Sequence, residues 1–382
     1  MVNLSKEFVT ANSMSQKQKL WSEWKINNAG HPFEKVPPTV FRLIENFRKP
    51  NIAVILPLSG EFQSAGEAVR DGLVQSTFNE VRRLRGNLTF FDSEAQSMTS
   101  IIEMIDESDA THIIGPLLKQ HCRAFVKASE GVDIPKLLLN YVPKDEKRSN
   151  QHYSIGLSIN HEIDSLLTEI NKMPVETILV VYNNSSWAIR SKQLLEDAWD
   201  NMLINAYIDK PSNMTESIGA AVGTQASTAR KETIEKLFSR RIEFLPRPRG
   251  DVDAIIVFIS PSDSESLEPI LKFHFLEDIP VFGSSQSELH NQTFDKLNVR
   301  SLEFPFISQN GNSYVFLKDQ FGLKKRFNQE LFALGMDSYR LLQLIDIFKV
   351  TPNFQLHGQT GRVFLNKKQE FVRQLKLTEK KN

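Results

Sequence analysis

An α/β fold of two doubly wound, Rossmann-like lobes, preceded by a short α-helical segment, is what this sequence predicts. Short apolar runs alternate with helix-length segments from Asn51 onward. The alternation comes in two consecutive series. Several of the runs are apolar at nearly every position, which marks strands covered on both faces, as in a parallel sheet flanked by helices. Strand–helix alternation also supplies the right-handed crossovers that such a sheet requires.

Residues 1–50 stand apart from this pattern. Gln16 to Asn27 reads as a helix with Leu20, Trp21 and Trp24 on one side, and Asn28-Ala-Gly-His-Pro32 breaks it. Pro37-Pro38 starts a second short helix, Thr39 to Phe47, which Pro50 stops. This region is expected to be the helical tail of a preceding helical domain, plus a linker.

The run Asn51-Ile-Ala-Val-Ile-Leu-Pro-Leu-Ser-Gly60 predicts a buried strand over 51–57, ending in a polar turn before a helix over 64–85. Further strands are expected at 88–92, 111–115, 136–140 and 153–157, with helices at 97–108 and 118–130 between them. The second series predicts strands at 177–182, 203–208, 253–259 and 279–283, with helices at 186–202, 228–239 and 262–275. After Gly283 come a strand at 299–305, a long amphipathic helix from about Phe327 to Phe348, a β element at 361–365 and a strand-like 370–377. The expected division places lobe 1 at 51–157 and 284–345 and lobe 2 at 158–283 and 346–382.

Lys+Arg and Asp+Glu both number 46, so no global charge draws the chain toward nucleic acid or an anionic membrane. Cys122 is the single cysteine, which excludes an internal disulfide. No apolar window approaches the roughly 20 residues of a membrane span. The first residues lack the apolar stretch of a signal peptide, so this chain as written is expected to encode neither export nor an anchor.

Catalytic and metal-binding patterns are near misses. Gly60-Glu-Phe-Gln-Ser-Ala-Gly66-Glu67 has five residues between its glycines and no following Lys, so it lacks the cation of a phosphate loop. His161-Glu162 lacks the second histidine of a zinc helix and reads as a solvent-facing helix start. Asp92 and Glu94 would form an acid–base pair only if their environments split their pKa values. No catalytic residue, metal site or cofactor is therefore expected.

Two other groups are candidates for binding. Ser59, Asn140, Tyr182 and Ser284 are the polar residues expected at strand ends, where open α/β sheets meet ligands; each also suits a cap or turn role. Arg240, Arg241, Arg247 and Arg249 concentrate charge near Leu245-Pro-Arg-Pro-Arg-Gly-Asp251. They form either a solvated, proline-stiffened loop or a docking point for an acidic or phosphate-rich partner.

Several separated pieces carry a family resemblance: the run ending Leu-Pro-Leu-Ser-Gly60 with Gly66 and Gly72, Ile114-Gly-Pro-Leu-Leu-Lys119, Tyr153-Ser-Ile-Gly-Leu-Ser158, the 245–254 segment, Leu331-Phe-Ala-Leu-Gly-Met-Asp-Ser-Tyr-Arg340 and Leu356-His-Gly-Gln-Thr-Gly-Arg362. Over about residues 51–375 the chain resembles the C-terminal domain of the LpoA family, outer-membrane lipoproteins that activate class A penicillin-binding proteins. The resemblance implies a periplasmic-binding-protein type I (Venus-flytrap) fold, a periplasmic, outer-membrane-associated location, and regulation of peptidoglycan cross-linking by binding a class A synthase. The family's lipid-bearing cysteine has no counterpart, because Cys122 falls inside an expected helix. The alternative is a periplasmic solute-binding protein or sensor closing its lobes on an amino-acid-like or cell-wall ligand. Against that, the loop Asn140-Tyr-Val-Pro-Lys144 is bulky where amino-acid binders carry small hydroxyl residues.

Overall fold

A computed structural model describes residues 2–379 except 12, 143–145, 147, 290, 291, 293, 296, 309 and 310. Lys144 and its two neighbours in the loop after Asn140 thus lie outside the described residues. By contact density the chain divides into two units: Met1–Leu157 with Phe304–Arg373, and Ser158–Glu303 with Gln374–Asn382.

The first unit holds a parallel sheet of β1 (Asn51–Leu56), β2 (Asn87–Asp92), β3 (His112–Ile114), β4 (Lys136–Leu138) and β5 (His152–Ser154). Their order is β2-β1-β3-β4-β5, all pairs parallel. β1 sits between neighbours on both sides, so its apolar run Ile52–Leu56 is fully buried. The second unit holds β6 (Thr177–Asn183), β7 (Met202–Ile208), β8 (Ala254–Phe258), β9 (Val281–Gly283) and β10 (Val299–Glu303). The segment β11 (Gln355–His357), β12 (Arg362–Leu365) and β13 (Phe371–Gln374) forms a small separate sheet, and β14 (Lys376–Glu379) joins β10 antiparallel. The larger order is β14-β10-β9-β8-β6-β7. β7 is its edge strand and alternates exposed and buried positions, whereas interior β8 is buried throughout.

Two helices of the first unit, Gln63–Thr77 and Arg326–Val350, cross at close range. A Cβ placed on Gly72 would lie 2.0 Å from the Phe332 carbonyl oxygen, and one on Gly335 would lie 2.3 Å from that of Val69. The two glycines are therefore what lets the backbones meet. The helices Val2–Thr10, Met14–Asn27 and Thr39–Glu45 join the same core. Trp21, 1% exposed, stacks on Phe41 at 4.2 Å and on Trp24 at 5.1 Å. Glu80 fastens this segment by accepting from the N–H groups of Met14 (2.5 Å) and Ser15 (2.9 Å).

The structure departs from expectation in several places. The chain returns to the first unit at Phe304, not after Gly283, because β10 pairs with β9 and stays in the second sheet. Residues 346–373 belong to the first unit, since the long helix continues to Val350 and its Phe348 packs on Phe354 and Phe371. The helix expected over 64–85 stops at Thr77, just before Glu80 turns inward. The strand expected over 370–377 is two strands in two sheets, parted at Leu375. A helix over Ile159–Ile170 carries Glu162 inside, not toward solvent: it is 7% exposed and accepts from the Ser285 N–H (3.1 Å) and hydroxyl (2.8 Å).

Arg373 ends the first unit. Buried at 1% exposure, it donates to the carbonyls of Gly156 (3.0 Å) and Thr360 (3.2 Å), with its guanidinium 5.1 Å from the Phe304 ring. One side chain thus gathers the three places where the chain leaves or re-enters this unit.

Candidate functional site

Ser59 and Asn140 follow the carboxyl ends of β1 and β4 in the first unit, and Tyr182 and Ser284 lie at the ends of β6 and β9 in the second. Each is engaged locally. The Ser59 hydroxyl bonds the Asp92 carboxylate, which also accepts from the N–H groups of Leu58 and Glu94, both at 3.0 Å. Burial raises the Asp92 pKa, but these hydrogen bonds outweigh it and hold the carboxyl below its usual value. Asp92 is therefore an ionised acceptor that shapes the turn. Asn140 donates to the Leu117 carbonyl (3.2 Å) and accepts from the Tyr141 N–H (2.9 Å). Tyr182 lies against Tyr207 with ring centroids 5.4 Å apart. Ser284 is 3% exposed and sits 3.3 Å from the Ser287 hydroxyl.

Cys122 is fully buried in the helix Lys119–Ala128, and burial pushes its thiol up to about 12, which leaves it unreactive at neutral pH. Among the described residues, no group of three or more His, Cys, Asp or Glu side chains is placed to hold a metal ion. Among them too, no helix is long and apolar enough to cross a membrane.

The arginine cluster lies in the irregular segment that follows the helix Thr224–Phe238. Arg240, Arg241 and Arg247 are exposed, whereas Arg249 is clamped by Asp251 through two bonds of 2.6 Å. The clamp raises the Arg249 pKa and lowers that of Asp251. The free arginines share their surface with exposed apolar side chains: Leu237 (74%), Phe238 (70%) and Leu245 (64%), with Ile242 and Phe244 beside them. Sequence reading singled out the arginines and missed these companions. The signal was available, because five large apolar residues between 237 and 245 follow no strand or helix period that would bury them. Aromatic and arginine side chains are enriched at protein interfaces.

The family model described as "LppC putative lipoprotein" matches residues 2–382. Penicillin-binding protein activator LpoA of Aliivibrio fischeri is 26% identical over 376 residues, covering 94% of this chain and 62% of its own length. The corresponding activator of Vibrio cholerae serotype O1 is 24% identical over 367 residues, covering 91% of this chain and 60% of its own length. The chain therefore spans about three-fifths of the curated relatives it matches. Among solved structures, the C-domain of Haemophilus influenzae LpoA, described as a regulator of PBP1A, superposes with a TM-score of 0.66 at 18% identity, covering 87% of this chain and 98% of the other. A Chromobacterium violaceum protein assigned to branched-chain amino-acid ABC transport gives a TM-score of 0.62 at 21% identity, covering 87% and 100%. The two-lobed, periplasmic-binding-protein-like α/β fold expected from the sequence is thus the fold of these neighbours. With its family model matched from residue 2 to residue 382, the chain belongs to the LppC lipoprotein family.

Proposed function

We propose that this chain is a non-catalytic regulator of peptidoglycan synthesis, which binds a class A penicillin-binding protein and stimulates its transpeptidase activity. The observation that carries this reading is the match, over 94% of the chain, to a relative named as a penicillin-binding protein activator. The family's lipoprotein description supports a periplasmic, outer-membrane-associated setting.

An activator without chemistry of its own acts by binding the active conformation of its target more tightly than the inactive one. A preference of roughly 1–3 kcal/mol shifts the target's equilibrium about five- to 150-fold. The surface we assign to this contact is the segment around Leu237–Arg247, where exposed apolar groups supply area and Arg240, Arg241 and Arg247 seek acidic partners. Ser59, Asn140 and Ser284 then serve their own turns and Tyr182 its strand, and any ligand they meet is secondary to the partner.

The test is a pull-down against purified class A synthases together with a glycan cross-linking assay. Saturable retention and increased cross-linking are expected. Unchanged synthase activity at saturating protein contradicts the proposal.

A further inference from the structure

A cavity of about 530 Å³ opens in the first unit, at the amino ends of β1, β3 and β4, where Pro50, His112 and Pro135 line it. Ser59 and Asn140 lie beyond the opposite, carboxyl ends of β1 and β4. The volume falls within the range of small-molecule sites. Its walls are mostly apolar, with Leu43, Phe47 and Ile345 among them. Its charged lining is Arg42, Arg48 and Lys49 against a single carboxylate, Asp346, and Asp346 is already paired with Lys349 at 3.2 Å. His112 adds no charge at neutral pH, since burial brings it down to about 4. Among the described residues, neither Arg48 nor Lys49 forms an ion pair. Gln343 also lines the cavity, and its buried Nε2 has no hydrogen-bond partner among the described residues. A buried donor left without an acceptor is costly, and a bound anion would supply one.

We propose that this cavity binds a small amphipathic anion, its apolar body against Leu43, Phe47 and Ile345 and its carboxylate or phosphate head held by Arg48, Lys49 and the Gln343 amide. The site is independent of the synthase contact, and its test does not involve the synthase.

Thermal unfolding of the whole chain is followed against decanoate, decyl phosphate and decanol, each below its micellar concentration. A saturable rise in midpoint with decanoate or decyl phosphate is expected, since a ligand of the native state stabilises in proportion to ln(1 + [L]/Kd). Whichever anion responds identifies the head group. The exposed double variant R48E/K49E, checked for fold by circular dichroism, should bind about tenfold or more weakly. The second-unit variant R240E/R241E should bind like the parent. An equal response to decanol, no response to either anion, or undiminished affinity in folded R48E/K49E overturns the proposal.

Discussion

The carboxylate of Asp337 is held by Thr360 through two hydrogen bonds of 2.7 Å, one from its N–H and one from its hydroxyl. The Gln359 N–H adds a third at 2.7 Å, and Arg340 lies 3.7 Å away. Asp337 is wholly buried and Arg340 nearly so. Two of the pieces that carry the family resemblance, 331–340 and 356–362, are thereby explained as one structural joint that pins the turn before β12 to the long helix.

Asp337→Ala strips this joint of its acceptor and leaves the Arg340 charge buried without its partner. A loss of about 3–5 kcal/mol is expected, the usual cost of breaking a buried pair from one side. Urea unfolding at neutral pH measures it. A loss under about 1 kcal/mol would mean that the turn is held by other contacts.

Gly335→Ala forces a methyl group toward the Val69 carbonyl, 2.3 Å from where its Cβ would sit. The obstacle is backbone, so the two helices must separate. Destabilisation of about 1–3 kcal/mol is expected, as for overpacking of a core. Thermal unfolding of the variant checks it, and an unchanged midpoint contradicts the close crossing.

His152 is buried and neutral. Its Nδ1 accepts from the Ser149 N–H (3.2 Å), so the ring proton sits on Nε2, 3.0 Å from the Ser129 hydroxyl. Burial first, then the charges of Lys136 and Arg148, bring its pKa from 6.5 to about 4. His112 is likewise brought to about 4, chiefly by burial. Between these pH values the unfolded chain binds more protons than the folded one, so stability falls as pH drops from 6.5 to about 4 and the loss then levels off. His152→Gln should flatten this dependence, measured as the urea midpoint against pH.

Lys17 gives a slope in a different window. It is 2% exposed and donates to the carbonyls of Phe8 (2.5 Å) and Ala11 (2.9 Å). Burial, and next the Arg340 charge, bring its pKa from 10.5 to about 7, against a smaller opposing effect of Glu80. From about pH 7 to 10.5 the unfolded chain keeps a proton that the folded chain has released. Stability therefore rises with pH across that window, and the full cost is felt below it. Lys17→Met should remove the rise; an equal slope in the variant would assign it to another group.

Much of the fold was legible because the interior strands are buried on both faces. β1, β6 and β8 announce themselves as unbroken apolar runs, and their expected limits differ from the observed ones by at most a residue at either end. The crossing points were not legible, because 299–303 reads as the same strand whichever sheet it joins. Its assignment rests on pairing with Val281–Gly283. The helix Ile159–Ile170 did leave a signal, with Ile163, Leu166, Leu167 and Ile170 at helical spacing, which the polar His161-Glu162 start obscured. Ser59 and Asn140 follow strand ends, Tyr182 lies inside β6, and two of the hydrogen-bond partners are distant in sequence. Nothing near Ser59 points to Asp92, and nothing near Asn140 points to Leu117. The arginine cluster was visible as charge, whereas Arg249 is internally satisfied by Asp251 and the exposed apolar groups complete the surface in its place.

On the proposed reading, this chain acts through its exterior on a class A synthase. The decisive measurement titrates the chain, and its R240E/R241E/R247E variant, into a purified synthase while following peptide cross-link formation. A saturable rise in cross-linking is expected with the parent chain, and a rise displaced to at least several-fold higher concentration with the folded variant. No rise with the parent chain at any concentration would contradict it.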